Sequence, residues 1–474
     1  MYYKNDKAFD VKIAYIGGGS RGWARGLMSD LAMDGRLNGT VCLYDIDGEA
    51  AEENSVIGNK IEKLHECKAE WKYVVENDIT VALTGADFVV ISILPGTFDE
   101  MESDVHLPEK YGIYQSVGDT IGPGGIVRAL RTIPIYEEFA KAIKEYCPNA
   151  WVINFTNPMT MCVRTLYKVF PQIKAFGCCH EVFGTQVLIS KICKEKLNLD
   201  VDRDDIKINV LGVNHFTWVD SARYKDLDLM PVIREYAKEN LSGADSKDEN
   251  WANADFKCTN QVKFDLFKRY GVLAAAGDRH LAEFCPGSWY LHDPETVEKF
   301  GFNLTTVKWR KEDLARRLEK TRELLNGKEF ELVHSGEESV RQIKALLGIG
   351  EFVTNVNIPN YGQMEGVPIG AVVETNAYFS GDSVRPLYAG ALPQAVNSLV
   401  AKVSLEQETV VTAALDGDYE MAFNAFLNDA NVNLPIDKAR ELFDKMLENT
   451  KSYLPYYDAY KMQEKSSDIR ILKR

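Results

Sequence analysis

Residues 11–16 are an apolar run that passes directly into Gly17-Gly18-Gly19-Ser20-Arg21-Gly22 and then into a helical pattern. Few folds accept that order. A G-x-G-x-x-G turn between strand and helix uses Gly17 for the tight turn, Gly19 for close approach of the backbone to a diphosphate, and Gly22 for packing of helix on strand. Ser20 lies in the loop, and the partial positive charge of the helix N-terminus faces the phosphates. A second strand pattern at 40–45 ends on Asp45, about twenty residues past the motif, where a carboxylate takes ribose hydroxyls and disfavours a 2′-phosphate. The implied cofactor is NAD rather than NADP.

Strand-length apolar runs at 11–17, 40–46, 87–94, 151–155 and 174–179 alternate with helical periodicity, as at 126–146 and 181–196. This alternation predicts a doubly wound, Rossmann-type parallel α/β sheet. Beyond residue 200 the pattern is mixed: a polar surface loop at 238–250, helices near 308–326 and 334–347, and a long helical region from about 392. Two domains are therefore expected, an NAD-binding unit at 1–200 and an α+β unit for substrate and oligomerisation at 201–474. With 474 residues, 45% of them hydrophobic, both cores can be filled. A net charge of −15 with no long basic stretch argues against nucleic acid and anionic membranes and leaves a small molecule as partner. The first residues lack a signal-peptide core and no window is apolar enough to span a bilayer, so a cytoplasmic location is expected. Nine cysteines, an odd number, read as reduced thiols.

Ligands of such sheets lie beyond the carboxyl ends of the strands. There the chain carries Asn154 and Asn157, whose amides suit a nicotinamide and a substrate hydroxyl or, alternatively, cap the helix beginning near Pro158. Cys179, His180 and Glu181 end the next strand, and His215 ends a further one. A thiolate and an imidazole are too few for a structural zinc site but suit an ion shared with substrate oxygens, manganese included. The alternative is that Cys179 and His215 are core residues.

The glycine loop, Gly118-Asp119-Thr120, Leu130-Arg131-Thr132, Asn154 to Pro158, Cys179-His180, Gly212 to His215, Asn357 to Asn360, Val372-Val-Glu374 and Gly390 to Pro393 together resemble glycoside hydrolase family 4 over nearly the whole chain. The resemblance implies a lactate/malate dehydrogenase-like organisation, NAD and manganese (Mn2+) as cofactors, Cys179 and His215 as metal ligands, and a homodimer or homotetramer. Cys179-His180-Glu181-Val182 is similar to the α-galacturonidase subgroup, and Ile93-Leu94-Pro95-Gly96 stands where phospho-sugar members carry an arginine suited to a phosphate. An α-galacturonide substrate is implied, with Arg279 for the uronate carboxylate and Asn157 and Glu181 as further contacts.

The implied reaction oxidises the sugar at C3, removes the C2 proton, eliminates the aglycone, adds water and returns the hydride, outside the usual paired-carboxylate scheme. The tyrosine base of phospho-sugar members has no counterpart near 278–284. His280 and Asp278 are the candidates, with Tyr270 more distant; Asp119 or His180 would handle the C3 hydroxyl proton or the leaving group. The alternatives are a family 4 α-glucuronidase or neutral α-glycosidase, or a plain NAD-dependent hydroxy-acid or sugar dehydrogenase.

Overall fold

The computed structural model describes residues 1–240 and 255–463. The first half contributes seven strands: β1 (Tyr2–Lys4), β2 (Lys7–Ile16), β3 (Leu37–Tyr44), β4 (Trp71–Val75), β5 (Phe88–Ile91), β6 (Trp151–Asn154) and β7 (Lys174–Gly177). Six of them pair in parallel in the order β4-β3-β2-β5-β6-β7, while β1 folds back on β2. The order reverses between β2 and β5, which puts the ligand crevice directly beyond Gly17. β5 is buried throughout, as a strand covered by helices on both faces must be. β4 was not expected; at the sheet edge it buries only Trp71 and Tyr73 on alternate positions around an exposed Lys72, a short polar-looking stretch.

The second half supplies β8 (Ile206–Val213), β9 (Phe216–Tyr224), β10 (Leu227–Asp228) and β11 (Leu273–Ala274), which form a separate antiparallel sheet. It also supplies β12 (Phe352–Pro359), β13 (Val372–Ser380) and β14 (Ser383–Pro386). These three extend the first sheet antiparallel, with Asn357 of β12 opposite Gly177 of β7. Ile343, Leu346, Val356 and Phe379 share one core with Tyr15, Met28 and Phe176. A boundary at residue 200 therefore does not divide the sheet.

The expected helices are found at Gly122–Tyr146, Glu181–Leu197, Val307–Leu325 and Ser339–Leu346, and the closing helical region is Gln394–Asp416, Tyr419–Asn428 and Ile436–Thr450. The last three pack on Gly122–Tyr146 through Ile126, Leu130, Val411, Phe426 and Phe443. Of the loop read at 238–250, residues 241–250 lie outside the described residues. Among the described residues no helix is long and apolar enough to cross a membrane, and the nine cysteines are all free.

Arg131, from the middle of the long helix, forms a buried ion pair with Asp104 and donates from Nε to the Pro95 carbonyl at 3.2 Å. Burial pushes the Asp104 carboxyl up and Arg131 opposes it. Arg131→Ala would leave that carboxylate buried without its hydrogen-bonded ion-pair partner, so urea unfolding is expected to show a loss of about 3–5 kcal/mol.

Candidate active site

The crevice begins at the glycine loop. Gly17 has φ +95°, and a Cβ there would overlap the Ser92 carbonyl. Asp45, at the end of β3, accepts the Gly19 N–H at 2.8 Å and the Asp47 N–H at 2.9 Å, which hold its carboxylate at the crevice rim. Asn54, unsuspected from sequence, donates to the carbonyls of Gly18 and Ser20 at 2.8 and 3.0 Å and fixes the loop. Ser20 accepts the Trp23 N–H in the first turn of the helix Trp23–Met33. The neighbours of the glycines differ from expectation: a Cβ on Gly19 would strike Ala50 and Asp45, and one on Gly22 would strike the Arg317 guanidinium rather than a strand.

Asn154 is fully buried. Its Oδ1 accepts from Tyr136 Oη at 2.5 Å and from Thr156 N at 3.2 Å, and its Nδ2 donates to the Thr156 carbonyl. The side chain braces the turn beyond β6, with both its polar atoms engaged within the chain. Trp23 stacks on Phe155 and on His180, with centroids 5.2 and 5.7 Å apart, and His180 Nδ1 lies 2.8 Å from Glu337 Oε1. His180 is thus held on the glycine-loop side.

The chemical centre gathers where β7, the β8–β9 turn, the loop before Gly122–Tyr146 and the helix Asp278–Phe284 meet. Asn214 and His215 form the two-residue turn between paired Val213 and Phe216, and His215 sits at φ +65°, a sparsely populated region for histidine. Its ring centroid is 3.9 Å from that of His280. Thr120 Oγ1 donates to Asp119 Oδ1 at 2.8 Å and lies 3.1 Å from His215 Nδ1. Having one hydrogen, the hydroxyl must accept from Nδ1–H, which assigns the lone pair of His215 to Nε2. Burial and the neighbouring His280 bring the His215 pKa down to about 3, so the ring is neutral and able to bind a metal.

Burial, reinforced by Glu374 and Glu181, pushes the Cys179 thiol well above its usual value; a metal ion there would displace the proton. Among the described residues there is no cluster of three or more metal-ligating side chains. An ion at Cys179 and His215 must therefore complete its shell with other oxygens. Glu374 accepts from Asn355 at 2.6 Å and Asn214 at 3.1 Å, and burial brings its carboxyl up to about 7. Amide oxygens of Asn157, Asn214 and Asn357 are buried without a donor, an arrangement that suits a hydroxyl-rich ligand.

Glu181 accepts the Gly277 N–H at 2.8 Å and lies 3.5 Å from His280 Nε2. Burial would raise its carboxyl, but His280, His215 and His180 outweigh burial and keep it ionised. It therefore directs Nε2–H of His280 toward itself and leaves Nδ1, buried and unpartnered, as the basic nitrogen. Its side chain is engaged with His280 and the Gly277 N–H. Asp278 accepts the Lys263 N–H at 3.0 Å, so its carboxylate helps seat the helix. Arg279 donates to Thr305 Oγ1 and lies 3.7 Å over the Phe256 ring.

Burial would raise Asp119, but Arg128, Arg310 and the two histidines outweigh it and hold this carboxyl well below the usual range. Neither arginine was legible as a site residue, because Arg128 reads as part of a helix core and Arg310 belongs to a polar helix far along the chain. Glu283 is a further omission: its Oε1 accepts the Val117 and Gly118 N–H groups at 2.7 and 2.8 Å and shapes the Asp119 loop. Burial brings Glu283 up to about 8 from 4.5. The folded state thus holds a proton that the unfolded chain releases, so stability falls as pH rises between 4.5 and about 8, by about 1.4 kcal/mol per pH unit from this group. Unfolding of Glu283→Gln across that window is expected to lack this slope.

Residues 12–195 match the model for the family 4 glycosyl hydrolases, and residues 210–432 match that for the family's C-terminal domain. The chain belongs to glycoside hydrolase family 4. A family member from Thermoanaerobacterium saccharolyticum, an alpha-galacturonidase, is 61% identical over 96% of this chain and 98% of its own. The solved structure of lplD from Bacillus subtilis superposes with a TM-score of 0.88 at 51% identity, covering 93% of this chain and all of that one. A Thermotoga maritima 6-phospho-beta glucosidase solved with manganese, NAD+ and glucose-6-phosphate shares the fold, with a TM-score of 0.74 at 22% identity over 94% of this chain and 99% of its own. Family 4 membership accounts for a dehydrogenase-like glycine loop in a glycoside hydrolase chain.

Proposed function

We propose that this family 4 enzyme hydrolyses α-galacturonides, with NAD and Mn2+ as cofactors. The observation that carries the reading is the close buried contact of the His215 and His280 rings, with Thr120 holding His215 and Glu181 holding His280. The substrate class is supported by Cys179-His180-Glu181-Val182 and by the 61% identical relative named alpha-galacturonidase.

When bound, NAD supplies a hydride acceptor for C3 and the divalent ion supplies a Lewis acid for the sugar's oxygens. Asp45 would hold a ribose, and Cys179 and His215 Nε2 would hold the ion. Asp119, ionised beside Arg128 and Arg310, accepts the hydrogen bond of the C3 hydroxyl and orients it as its proton leaves. His280 Nδ1 takes the C2 proton, made acidic by the neighbouring ketone. The cations Arg128, Arg279 and Arg310, set against Asp119 and Glu283, supply the positive field a uronate carboxylate needs. We place the NAD-binding function in residues 1–200 and substrate binding chiefly in 201–474, in a homodimer or homotetramer; free thiols agree with a cytoplasmic setting.

Proton NMR in D₂O with an α-galacturonide and Mn2+, with and without NAD, tests this. Hydrolysis that needs both additions and leaves deuterium at C2 is expected. Accumulation of NADH without aglycone release would replace the reading with a dehydrogenase, and turnover of an α-glucuronide alone would move the substrate. Thr120→Val is expected to weaken Mn2+ binding about 10–100-fold by direct titration, the usual cost of losing a partner behind a metal ligand, while Thr120→Ser retains it.

A further inference from the structure

Helix Val307–Leu325 comes from the second half of the chain, yet it lies against the glycine loop. Arg25 donates from Nη2 to Thr321 Oγ1 at 2.8 Å, Lys60 reaches the Leu324 carbonyl at 3.2 Å, and the Arg317 guanidinium occupies the space a side chain at Gly22 would fill. Three guanidinium groups converge here. Arg21 pairs with Glu53 at 3.1 Å but keeps its Nε buried without a partner. Arg25 has only neutral partners, Asn54 and Thr321. Arg317 pairs with Asp313 at 2.6 Å and remains 47% exposed. Burial and then the charges of Arg21 and Arg317 lower the Arg25 guanidinium to about 10.

Arg21, with its Nε buried and unpartnered, and Arg317, with a half-exposed guanidinium, thus lie at the positive end of the helix Trp23–Met33, a setting that attracts an anion. We propose that Arg317, with Arg21, clamps the diphosphate of the dinucleotide, so that a helix of the second half closes the cofactor site of the first. This rests on the NAD reading. It assigns the empty place of a side chain at Gly22 to a recognition group: the glycine admits a guanidinium to the phosphates as well as admitting the phosphates to the backbone. Asp45 occupies the ribose end, so the clamp serves the bridging phosphates and not a 2′-phosphate.

Calorimetry with NAD, ADP-ribose, adenosine and NADP on the whole protein tests the clamp, with the melting temperature of each ligand-free variant as the folding control. Arg317→Gln is expected to weaken NAD and ADP-ribose about tenfold or more and to leave adenosine unchanged, with Arg21→Gln acting in the same direction and Arg317→Lys recovering part of the loss. Unchanged NAD and ADP-ribose affinity in Arg317→Gln overturns the clamp while leaving the cofactor reading intact. NADP binding more tightly than NAD would also overturn it, by moving the cluster to a 2′-phosphate. If the unaltered protein binds neither NAD nor ADP-ribose, the cofactor reading falls and the clamp falls with it.

Discussion

Replacing His280 with glutamine is expected to lower kcat on an α-galacturonide by about 10²–10⁴-fold, the range a positioned general base contributes. Glutamine keeps a hydrogen-bonding group near Glu181 but has no basic nitrogen to receive the C2 proton. Oxidation at C3 falls to Asp119, so substrate should still reduce the bound nicotinamide, visible as absorbance, while aglycone release stalls. Burial, and then Arg279 against the opposing Glu181, sets the His280 pKa below its ordinary 6.5. A base is active above its pKa, so the acid limb of kcat/KM should fall only below that ordinary value. An acid limb above it would assign the proton to another group.

Cys179→Ala carries the second large effect. Loss of the metal removes several kcal/mol of stabilisation of developing charge, which at 1.36 kcal/mol per tenfold is a loss of about 10³-fold or more, accompanied by Mn2+ content near zero. The neighbouring Cys178→Ala supplies the contrast. Both cysteines follow β7, but Cys178 lies in the main core, donating to Gln342 Oε1 at 3.0 Å, whereas Cys179 packs apart from it beside Met159 and Val372. Its removal should cost stability and leave metal content unchanged. Equal metal loss in both variants would make Cys179 a packing residue.

The parallel sheet was legible because its strands are short apolar runs bounded by turn residues, and Gly17, Asp45 and Cys179 were placed as candidates because strand ends of a doubly wound sheet face its crevice, whereas His215 lies in the β8–β9 turn of the separate antiparallel sheet. β4 escaped because an edge strand alternates polar and apolar too briefly to stand out. The joining of β12 to β7 escaped for a different reason: Gly177 and Asn357 are far apart in the chain, and antiparallel addition to a parallel sheet leaves no local mark. The bracing role of Asn154 was not legible, because an amide at a strand end has the same signature whether it meets a ligand or holds the next turn. Thr120, Arg128, Glu283 and Arg310 had to wait for the fold, since only tertiary packing places a hydroxyl between an aspartate and an imidazole, or turns two helix arginines toward one carboxylate.

The shared sheet also sets a timetable for synthesis. β7 ends at Gly177 and β14 ends at Pro386. At ribosomal speeds of about 5–20 residues per second, the first half waits roughly 10–40 s for the strands that finish its sheet. For most of that interval Tyr15, Met28 and Phe176 lack the apolar partners Ile343, Val356 and Phe379, and until β12 is made the nascent chain carries an open strand edge of the kind chaperones guard.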